Sequence, residues 1–445
     1  MAQSKISGDL QYYDGATAKS LVAEIKRVDT EAAAEATRAA AAEQANAASI
    51  TAETTRAKNA ENALGERVSA LEEPTVIYGV QIDTTNSNPS TAITYTDDAV
   101  GFTPARGNNG NYQRGTIEDF FPFNQIKPCL LKNGAVVGYL DPTNFAKFEG
   151  GDAADITSGD AGDVMIEIPR FYYKIARVGN YVQVKISNKK LTGYTDYAFS
   201  YKGSVKEKFY IGAYLGYVDA DSKLRSLSGK VVTGSKTIGA FRTAAQANGS
   251  GYEQLSFNKL TALQVLYVLQ FCGLNSQAAL GQGYTNASAY RDTGATDTKG
   301  MTYGTDAAAA ADDTVKFNGI EDFYGNLYQW VDGFMTGSSA IKIADGNFND
   351  TASGYTSYTG TGAAASGLLK DVVATNELGF TPKTAGGSAS TYYCDNSYIS
   401  VTSSYLPIFG GDWSDGAYAG AFYLYCNCSA SYAASNIGAR LTFCG

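Results

Sequence analysis

The stretch from Leu21 to Glu73 limits the possible folds most, because it contains no proline and one glycine and is rich in alanine. This composition has strong helical propensity. The hexapeptide Ala34–Ala39 recurs with one change as Ala52–Ala57, an offset of eighteen residues, or five turns of an undistorted helix, so the same face returns. The sequence therefore predicts one long helix over residues 21–73, which Pro74 ends.

Apolar residues on this helix suggest that it associates with copies of itself. Heptad spacing, which is typical of coiled coils, relates Ile50, Ala57, Leu64 and Leu71. A long helix with so few apolar residues is marginal alone and gains most from packing against identical helices. We therefore expect a coiled-coil stalk in a parallel homo-oligomer, with a single flexible helical linker as the alternative. The polar residues 1–20 predict an attachment segment with weak structure of its own.

After Pro74 the sequence changes to short β-type runs separated by glycine, proline and polar turns. Residues 75–158 predict a small β-rich neck domain, and residues 159–445 predict a second, larger domain, so the expected class is α+β. The acidic, glycine-rich stretch between Gly150 and Asp163 could in principle chelate calcium. Its aspartates lack EF-hand spacing, which favours a solvated linker.

Three local patterns in the larger domain predict particular elements. Gly179-Asn180 joins two alternating runs and predicts a β-hairpin. Thr261 is expected to cap a buried helix over residues 262–271, because apolar residues cover a broad face there. Residues 281–313 and 345–366 are rich in small and polar residues and predict long surface loops. Such loops could wall a binding face or pack one subunit on another.

Composition excludes several classes of function. The chain has a net charge of −9 and no histidine. Nucleic acid and anionic membranes both require clustered lysine and arginine, so neither is expected as a partner, and a neutral or zwitterionic target is favoured. Without histidine, histidine-dependent triads and zinc sites are excluded. The N-terminus lacks the apolar core of a signal peptide, so a surface role would need another vehicle, such as a virion.

The six cysteines follow no metal-binding spacing and predict no metal site. Cys426 and Cys428 are two residues apart on a predicted strand, so their thiols should point the same way. A structural pair such as Cys394 with Cys444 stays open. We expect no cofactor and no catalytic residue.

The segment from Gly410 to Leu441 interleaves two kinds of position. Glycine and apolar residues suit a tight turn and two half-buried strands. Between them lie tyrosines and small polar residues, which are typical of binding surfaces because tyrosine offers rigid contact area and serine and asparagine offer adaptable hydrogen bonds. An ordinary solvent-exposed loop rich in tyrosine and serine is the alternative. The candidate ligand-binding residues are Asp412, Ser414, Asp415, Tyr418, Tyr423, Tyr425, Asn427, Cys428 and Tyr432.

Two motifs carry a resemblance to a known family. The first is Gly410-Gly411-x-Trp413 with the downstream Ala419-Gly420-x-Phe422 and Asn436-Ile437-Gly438-x-Arg440. The second lies about eighty residues upstream, where Asp322 to Trp330 is similar to a D-x-x-G-N-x-x-x-W element. Together they resemble the variable proteins that are diversified by retroelements, which carry a variable region at the end of a C-type lectin fold of the formylglycine-generating-enzyme type.

The resemblance implies a division of roles. A rigid framework would hold a variable face, and the framework residues are Asn326, Trp330, Gly411, Trp413, Gly420, Phe422, Gly438 and Arg440. The outward residues of the 410–441 region would contact a receptor on a bacterial surface. Formylglycine-generating enzymes use cysteine and copper, but Cys426 and Cys428 fall at positions that the resemblance makes variable, so no enzyme is expected.

The resemblance also implies a place for the protein. It suggests a phage tail fibre protein in the virion, attached to tail or baseplate proteins by its N-terminus and trimeric through its stalk. A bacterial surface adhesin with the same fold and a fixed partner is the alternative. A neighbouring reverse transcriptase gene with a near-copy of the segment would favour the first.

Overall fold

A computed structural model describes residues 11–14, 17–72, 74–107, 110–305 and 313–445. The chain divides into two compact units, Met1–Pro74 and Thr75–Gly445. Within the described residues, no helix is both long enough and apolar enough to cross a bilayer. Most of the predicted attachment segment, including residues 1–10, lies outside the described residues.

The first unit consists of a short hairpin and one long helix. Strands β1 (Gln11–Asp14) and β2 (Thr17–Ser20) pair antiparallel, and helix α1 runs from Leu21 to Glu72. The predicted long helix is therefore confirmed. At 1.5 Å per residue it extends about 78 Å. Its described apolar side chains are largely solvent-exposed, including Ile50 at 67% and Leu64 at 57%.

The second unit contains 28 strands and three further helices in its described residues. The helices are α2 (Ile238–Gln246), α3 (Phe257–Phe271) and α4 (Ser276–Ala279). The strands of its first half are β3 (Ile77–Asp83), β4 (Ile93–Asp97), β5 (Lys127–Lys132), β6 (Ala135–Asp141), β7 (Asn144–Phe148), β8 (Asp163–Pro169), β9 (Tyr172–Val178), β10 (Tyr181–Ser187), β11 (Ser200–Tyr201), β12 (Ser204–Val205), β13 (Lys208–Gly212), β14 (Tyr217–Val218), β15 (Leu224–Arg225) and β16 (Tyr252–Gln254).

The strands of its second half complete the list. They are β17 (Tyr303–Gly304), β18 (Val315–Phe317), β19 (Ile320–Glu321), β20 (Tyr328–Trp330), β21 (Phe334–Gly337), β22 (Ala340–Ile343), β23 (Thr356–Thr359), β24 (Ala364–Val372), β25 (Pro382–Ala385), β26 (Asn396–Ser400), β27 (Leu406–Phe409), β28 (Leu424–Cys428), β29 (Ile437–Gly438) and β30 (Leu441–Phe443). Helices and sheets thus occur together, as the α+β class requires.

Three sheets organise this unit. Sheet A has the strand order β4-β3-β10-β9, sheet B the order β16-β30-β13-β8-β5-β6-β7, and sheet C the order β25-β24-β26-β28-β27-β20-β29. Smaller sheets of two or three strands join β11 with β12, β14 with β15, β17 to β19 and β21 to β23. Strand β30 lies between β13 and β16 in sheet B, so Leu441–Phe443 form hydrogen bonds with a strand on each side.

The predicted domain boundary at residue 158 is wrong, because strands on both sides of it pair with each other. Strand β3 pairs with β10 over its full length, and β5 pairs with β8 from Lys127 opposite Glu167 to Leu131 opposite Asp163. Strand order across a sheet is set by long-range pairing, which local composition does not reveal. Residues 75–158 are therefore part of the same compact unit as the rest.

The acidic stretch before β8 is solvated at Asp152, Asp155 and Asp160, but it lies within one compact unit and does not link two domains. Asp163 is buried, and its carboxylate pairs with Arg225, with Oδ1 at 3.0 Å from Nε. Asp155 accepts hydrogen bonds from the backbone N–H groups of Thr157 and Ser158, which shape a local turn. The aspartates thus serve two different structural roles.

Two of the predicted local elements are present. The β9–β10 hairpin places Val178 opposite Tyr181, so Gly179-Asn180 is the turn, as predicted. The predicted core helix is also present, but it begins at Phe257 after Ser256, and Thr261 lies inside it rather than at its start. All fifteen residues of α3 are buried, so it forms the centre of the unit.

The two predicted surface loops are only partly irregular. Residues 345–366 include β23 and the start of β24, and residues 281–313 include β17, with 306–312 outside the described residues. Part of the 281–313 loop packs against the Gly410–Leu441 segment, because the backbone N–H of Ala287 donates to Trp413 O at 2.7 Å.

Candidate ligand-binding face

The Gly410–Leu441 segment crosses the middle of sheet C. It follows β27, turns through a short 3₁₀ helix at Gly416–Tyr418, and then forms β28, which lies between β26 and β27. Strand β28 runs parallel to β26 and antiparallel to β27. The segment then reaches β29 and ends in β30 of sheet B. Both of its ends are therefore fixed by hydrogen-bonded strands.

Glycines in this segment occupy positions where a side chain would collide with neighbours. Gly411 has φ of 85°, and a Cβ there would lie 2.6 Å from the Cβ of Ala419. A Cβ at Gly420 would lie 2.2 Å from Asp395 Oδ1. At Gly438 the approach is milder, with Leu327 Cδ2 at 3.1 Å. Close backbone approach explains the glycines at the first two positions.

Phe422 anchors the turn before β28 to the core. Its ring lies 5.3 Å from that of Phe380 and 5.1 Å from that of Tyr393, measured between centroids. Its backbone N–H donates to Asp395 Oδ2 at 2.8 Å. Ser276 Oγ donates to the same carboxylate oxygen and accepts from Ala421 N, so α4 is tied to this turn.

Asn326 and Trp330 support the segment from below. The Asn326 side chain accepts from Arg291 N and donates to Arg291 O, and its backbone carbonyl accepts from Trp413 N at 3.0 Å. Trp330 is fully buried, and its indole Nε1 donates to Lys236 O at 3.1 Å. The Asn326 side chain thus hydrogen-bonds to the backbone of the loop. The Trp330 indole has the hydrogen-bond partner that a buried indole needs.

Arg440 is a buried cation whose donors all reach neutral acceptors. Nε donates to Gln329 Oε1 at 2.8 Å, Nη1 to Gly212 O at 3.0 Å, and Nη2 to the carbonyls of Glu321 and Asp322 at 2.8 and 2.9 Å. Burial lowers the pKa of Arg440 to about 10, while the nearby Asp322 and Glu321 carboxylates oppose the drop. It therefore stays charged at neutral pH and joins the end of the segment to β13 and β19.

Four of the nine candidate ligand-binding residues are exposed, and two are half-buried. Ser414, Tyr418, Asn427 and Tyr432 are exposed, with Tyr418 at 49% and Tyr432 at 47%. Asp415 and Tyr425 are half-buried. These six side chains are at the surface of the protein, as expected for residues that contact a ligand.

The expectation that Asp412, Tyr423 and Cys428 face outward is wrong, because all three are at most 4% exposed. Asp412 accepts from Ser414 N and from Asn436 Nδ2 at 2.7 and 2.6 Å, so it connects the two ends of the segment. Tyr423 Oη accepts from Tyr328 Oη at 2.8 Å. Cys428 lies opposite Leu406 after a bulge at Asn427, on the same side of sheet C as Tyr425 and Ile408, where it is buried.

Trp413 is less buried than a core framework residue would be. Its exposure is intermediate, and it packs against the small apolar cluster of Leu215, Val232 and Leu327. Its ring centroid lies 5.7 Å from that of Tyr290. Trp413 therefore fixes the turn onto the loop below rather than filling the main core.

A cavity of about 280 Å³ opens beside two of the exposed residues of the segment, Asn427 and Tyr432. Its lining residues are Tyr328, Ile408, Tyr425, Asn427, Cys428, Tyr432, Asn436 and Ile437. Tyr398 on β26 extends this surface, because its ring lies 5.3 Å from that of Tyr425 and the two residues are in register. We call this cavity, together with the exposed residues Ser414, Tyr418, Asn427 and Tyr432, the tyrosine face.

Sequence reasoning missed Tyr328, Tyr398 and Asn436 as members of this surface. Tyr328 and Tyr398 reach it only because β20 and β26 lie beside β27 and β28 in sheet C. No local pattern marks such pairing. Asn436 appeared only as part of the first motif, although it both lines the cavity and donates to Asp412.

The tyrosine face has no accessible cation within its own segment. Arg440 is the one Lys or Arg residue between Gly410 and Leu441, and it is buried. Burial raises the pKa of Asp415, while hydrogen bonds from Tyr328 and from the Asp412 backbone oppose the rise. The arrangement offers hydroxyl, amide and aromatic groups, which suit a neutral ligand rather than an anion.

The chain matches no protein-family model and no curated protein. Among solved structures it is similar to the Major Tropism Determinant M1 and I1 variants, at 12% and 13% identity and a TM-score of 0.28 each, over 70% of this chain and 77% of those chains. It is also similar to PvdO from Pseudomonas aeruginosa at 12% identity and a TM-score of 0.27, over 65% of this chain and 97% of that one. These TM-scores are too low to assign the chain to a family.

The cysteines near the face are buried thiols. All six cysteines of the chain are free, so the open pairing of Cys394 with Cys444 is not formed. The prediction that Cys426 and Cys428 point the same way is wrong, because a bulge at Asn427 shifts the register with β27 and the two buried side chains lie in different apolar clusters on opposite faces of the sheet. Burial raises the pKa of Cys426 far above its usual range and that of Cys428 to about 11. Both thiols are therefore protonated at neutral pH and poorly nucleophilic.

Asp395 gives the turn before β28 a pH-dependent stability. Burial raises its pKa well above the usual range, and hydrogen bonds from Phe422 N and Ser276 Oγ oppose that rise. An unfolded aspartate titrates at about 3.9. The stabilisation of the fold by the neutral Asp395 carboxyl is complete below the pKa of the unfolded state. It is lost as pH rises through the pKa of the folded state, by up to about 1.4 kcal/mol per pH unit.

Asp395→Asn should therefore flatten the pH dependence of unfolding, because asparagine keeps an acceptor oxygen and cannot ionise. Between about pH 5 and about pH 8 we expect the melting temperature of the variant to fall less than that of the wild type. Thermal denaturation followed by circular dichroism at each pH measures this. Asp119→Asn, at an exposed carboxylate, is the matched control. Equal slopes for Asp395→Asn and wild type would contradict the prediction.

Proposed function

We propose that this chain is a phage receptor-binding protein that attaches to a ligand on a bacterial surface through the tyrosine face. The observation that carries the proposal is the separation of roles within one segment: Phe422 and Arg440 are fixed in the interior, while Tyr418 and Tyr432 are exposed, and Tyr432 lines a cavity. Exposed aromatic residues on a rigid support are typical binding anchors. The motif resemblance adds a C-type lectin-like scaffold of the formylglycine-generating-enzyme type and diversification by a retroelement.

The proposed action is recognition without catalysis. The protonated thiols at Cys426 and Cys428 support this, since thiolate chemistry requires a lowered pKa. The ligand is proposed to be a neutral or zwitterionic surface structure, because the face offers hydroxyl, amide and aromatic groups and its segment has no accessible Lys or Arg. Variation would then be confined to the exposed positions, whereas Asp412, Tyr423 and Cys428 would be restricted by their contacts.

Replacing Tyr418 and Tyr432 by serine should abolish attachment and leave the fold intact. Two aromatic anchors at about 2 kcal/mol each correspond to a loss of binding of roughly a thousandfold. Both side chains are about half exposed, so the free energy of unfolding should change by less than about 0.5 kcal/mol. Sedimentation of labelled protein with host cells measures attachment, and thermal denaturation measures stability.

The matched control for this experiment is Tyr181→Ser with Tyr197→Ser, at two tyrosines of similar exposure outside the segment. The control pair should bind cells like wild type. Wild-type binding by the Tyr418 and Tyr432 variant would refute the tyrosine face as the attachment surface. A large fall in melting temperature would instead mean that these side chains stabilise the fold.

We further propose that α1 forms a parallel trimer, which would multiply weak contacts into firm attachment, and that the N-terminus joins tail or baseplate proteins of a virion. The exposure of Ile50, Leu64 and Val68 on an isolated helix supports self-association. Sedimentation equilibrium of the full chain should give three times the chain mass. Ile50→Asp with Leu64→Asp should give a monomer, whereas a monomeric wild type would contradict the proposal.

A further inference from the structure

A second and larger cavity lies outside the tyrosine face. It has a volume of about 700 Å³, which is in the range of small-molecule sites, and none of its lining residues lines the first cavity or belongs to Gly410–Leu441. Two separate parts of the chain form it, one from Tyr112 to Thr143 and one from Lys299 to Asn318. Phe123, Thr302 and Asn318 in its wall are each at most 7% exposed, so the cavity reaches the interior.

The polar wall of this cavity is a continuous series of hydrogen bonds. Asn318 Nδ2 donates to Gln270 Oε1 at 2.9 Å, and Gln270 Nε2 donates to Tyr112 Oη at 2.7 Å. Tyr112 Oη then donates to Glu118 Oε1 at 2.6 Å. Because each group is held by its neighbour, the wall presents a fixed set of amide, hydroxyl and carboxylate groups rather than mobile side chains.

Glu118 keeps lone-pair capacity for a ligand at the end of this series, although Gln270 and Arg114 also interact with its carboxylate. Its Oε1 atom accepts from Tyr112 Oη and from Gly115 N at 2.7 Å. Its Oε2 atom lies 3.6 Å from Arg114 Nε, which is too long for a hydrogen bond. The side chain is 12% exposed, so this oxygen lies in a largely desolvated wall, where an acceptor gains most from a donor.

Charges around the cavity are balanced. Arg114 Nη2 contacts Asp119 Oδ1 at 3.0 Å, and Lys299 Nζ lies 5.1 Å from the centre of the Tyr303 ring. Both cations therefore have partners, and neither is left for an anionic ligand. The remaining wall is largely apolar, with Phe123, Ile126 and Met301 as its main side chains.

We propose that this cavity is a saccharide-binding site for one neutral sugar ring. The hydroxyl groups of the ring would donate hydrogen bonds to Glu118 and to the Asn318 and Thr302 side chains. The C–H face of the ring would lie against Phe123. A sugar matches this wall because it combines many neutral hydroxyls with an apolar face. The source of the ring is either a free monosaccharide or one residue of a surface polysaccharide, and the site does not depend on the tyrosine face.

The test uses the full chain with glucose, galactose and N-acetylglucosamine as probes, by saturation-transfer-difference NMR and calorimetry. At least one sugar should bind with a Kd on the order of 1 mM. Glu118→Gln should weaken that binding at least tenfold, and Asn124→Trp, at an exposed residue of the cavity wall, should block it by volume. The Tyr418→Ser, Tyr432→Ser variant should bind the sugar like wild type.

Several results would overturn the proposal. They are no binding of any of the three sugars, binding that survives both Glu118→Gln and Asn124→Trp, and binding of inorganic phosphate in their place. Thermal denaturation of each variant shows whether a loss of binding reflects unfolding, and Asn124→Trp keeps the test valid if Glu118→Gln is unstable. An oligosaccharide that binds more tightly than its monosaccharide indicates a polysaccharide source, and weaker binding indicates a free sugar.

Discussion

Arg440→Met should lower the free energy of unfolding of the Thr75–Gly445 unit by about 4 kcal/mol or more, the largest effect expected of a single substitution here. The methionine fills part of the volume but leaves Gln329 Oε1 and the carbonyls of Gly212, Glu321 and Asp322 without their donor. Each buried group left unpaired costs about 1–3 kcal/mol, and partial relaxation reduces the sum. Chemical denaturation monitored by tryptophan fluorescence gives the value.

Two further variants define the cause. Arg440→Lys should recover only part of the loss, because a lysine ammonium is a compact donor that cannot reach four acceptors arranged around a planar fork. Lys370→Met removes a surface cation that lies over the Tyr392 ring, and it should change stability by less than about 0.5 kcal/mol. An Arg440→Met protein as stable as the Lys370→Met protein would show that the four contacts contribute little.

Trp330→Ala should destabilise the same unit by about 3–5 kcal/mol, the cost typical of removing a fully buried large aromatic side chain. Its indole is completely inaccessible and donates to Lys236 O. Trp413→Ala should cost less, about 1–2 kcal/mol, since Trp413 is only half-buried and packs against a small cluster. The motif resemblance placed both tryptophans in the framework, but their different burial predicts different costs.

The comparison of the two tryptophans is best made by thermal denaturation of both variants under one condition. Trp330→Phe serves as the control, because it keeps most of the volume and loses only the bond to Lys236 O. It should lie between wild type and Trp330→Ala. Equal destabilisation by Trp330→Ala and Trp413→Ala would mean that the small cluster of Leu215, Val232 and Leu327 contributes as much as the main core.

Local sequence signals were sufficient to predict the elements whose structure depends on neighbouring residues. The absence of proline between Leu21 and Glu73 predicted α1, and Gly179-Asn180 predicted the β9–β10 hairpin. The need for glycine at Gly411 and Gly420 follows from close contacts that the motif had marked. For α1 and the hairpin the deciding interactions lie within a few residues, whereas Gly420 contacts the distant Asp395, so there the motif and not local structure marked the position.

Prediction from the sequence failed where pairing between distant strands determines the structure. The supposed boundary at residue 158 disappears because β3 and β5 pair with strands that follow it. Asp412 and Tyr423 look like surface residues by composition, but Asn436 and Tyr328 hydrogen-bond to them in the folded chain. The wall that holds Glu118 likewise joins residues more than 150 positions apart, such as Tyr112 and Gln270.

The position of β28 between β26 and β27 limits how the tyrosine face can change. Adding or deleting one residue within β28 would invert every following side chain of the strand, so that Tyr425 would turn inward and Cys426 outward. Both neighbouring strands hold its register from Leu424 to Cys426, whereas the pairing with β27 already contains a bulge at Asn427. Heritable variation at this surface is therefore expected as substitutions at constant length between Leu424 and Cys426, with deletions and insertions tolerated only between Asn427 and Ile437.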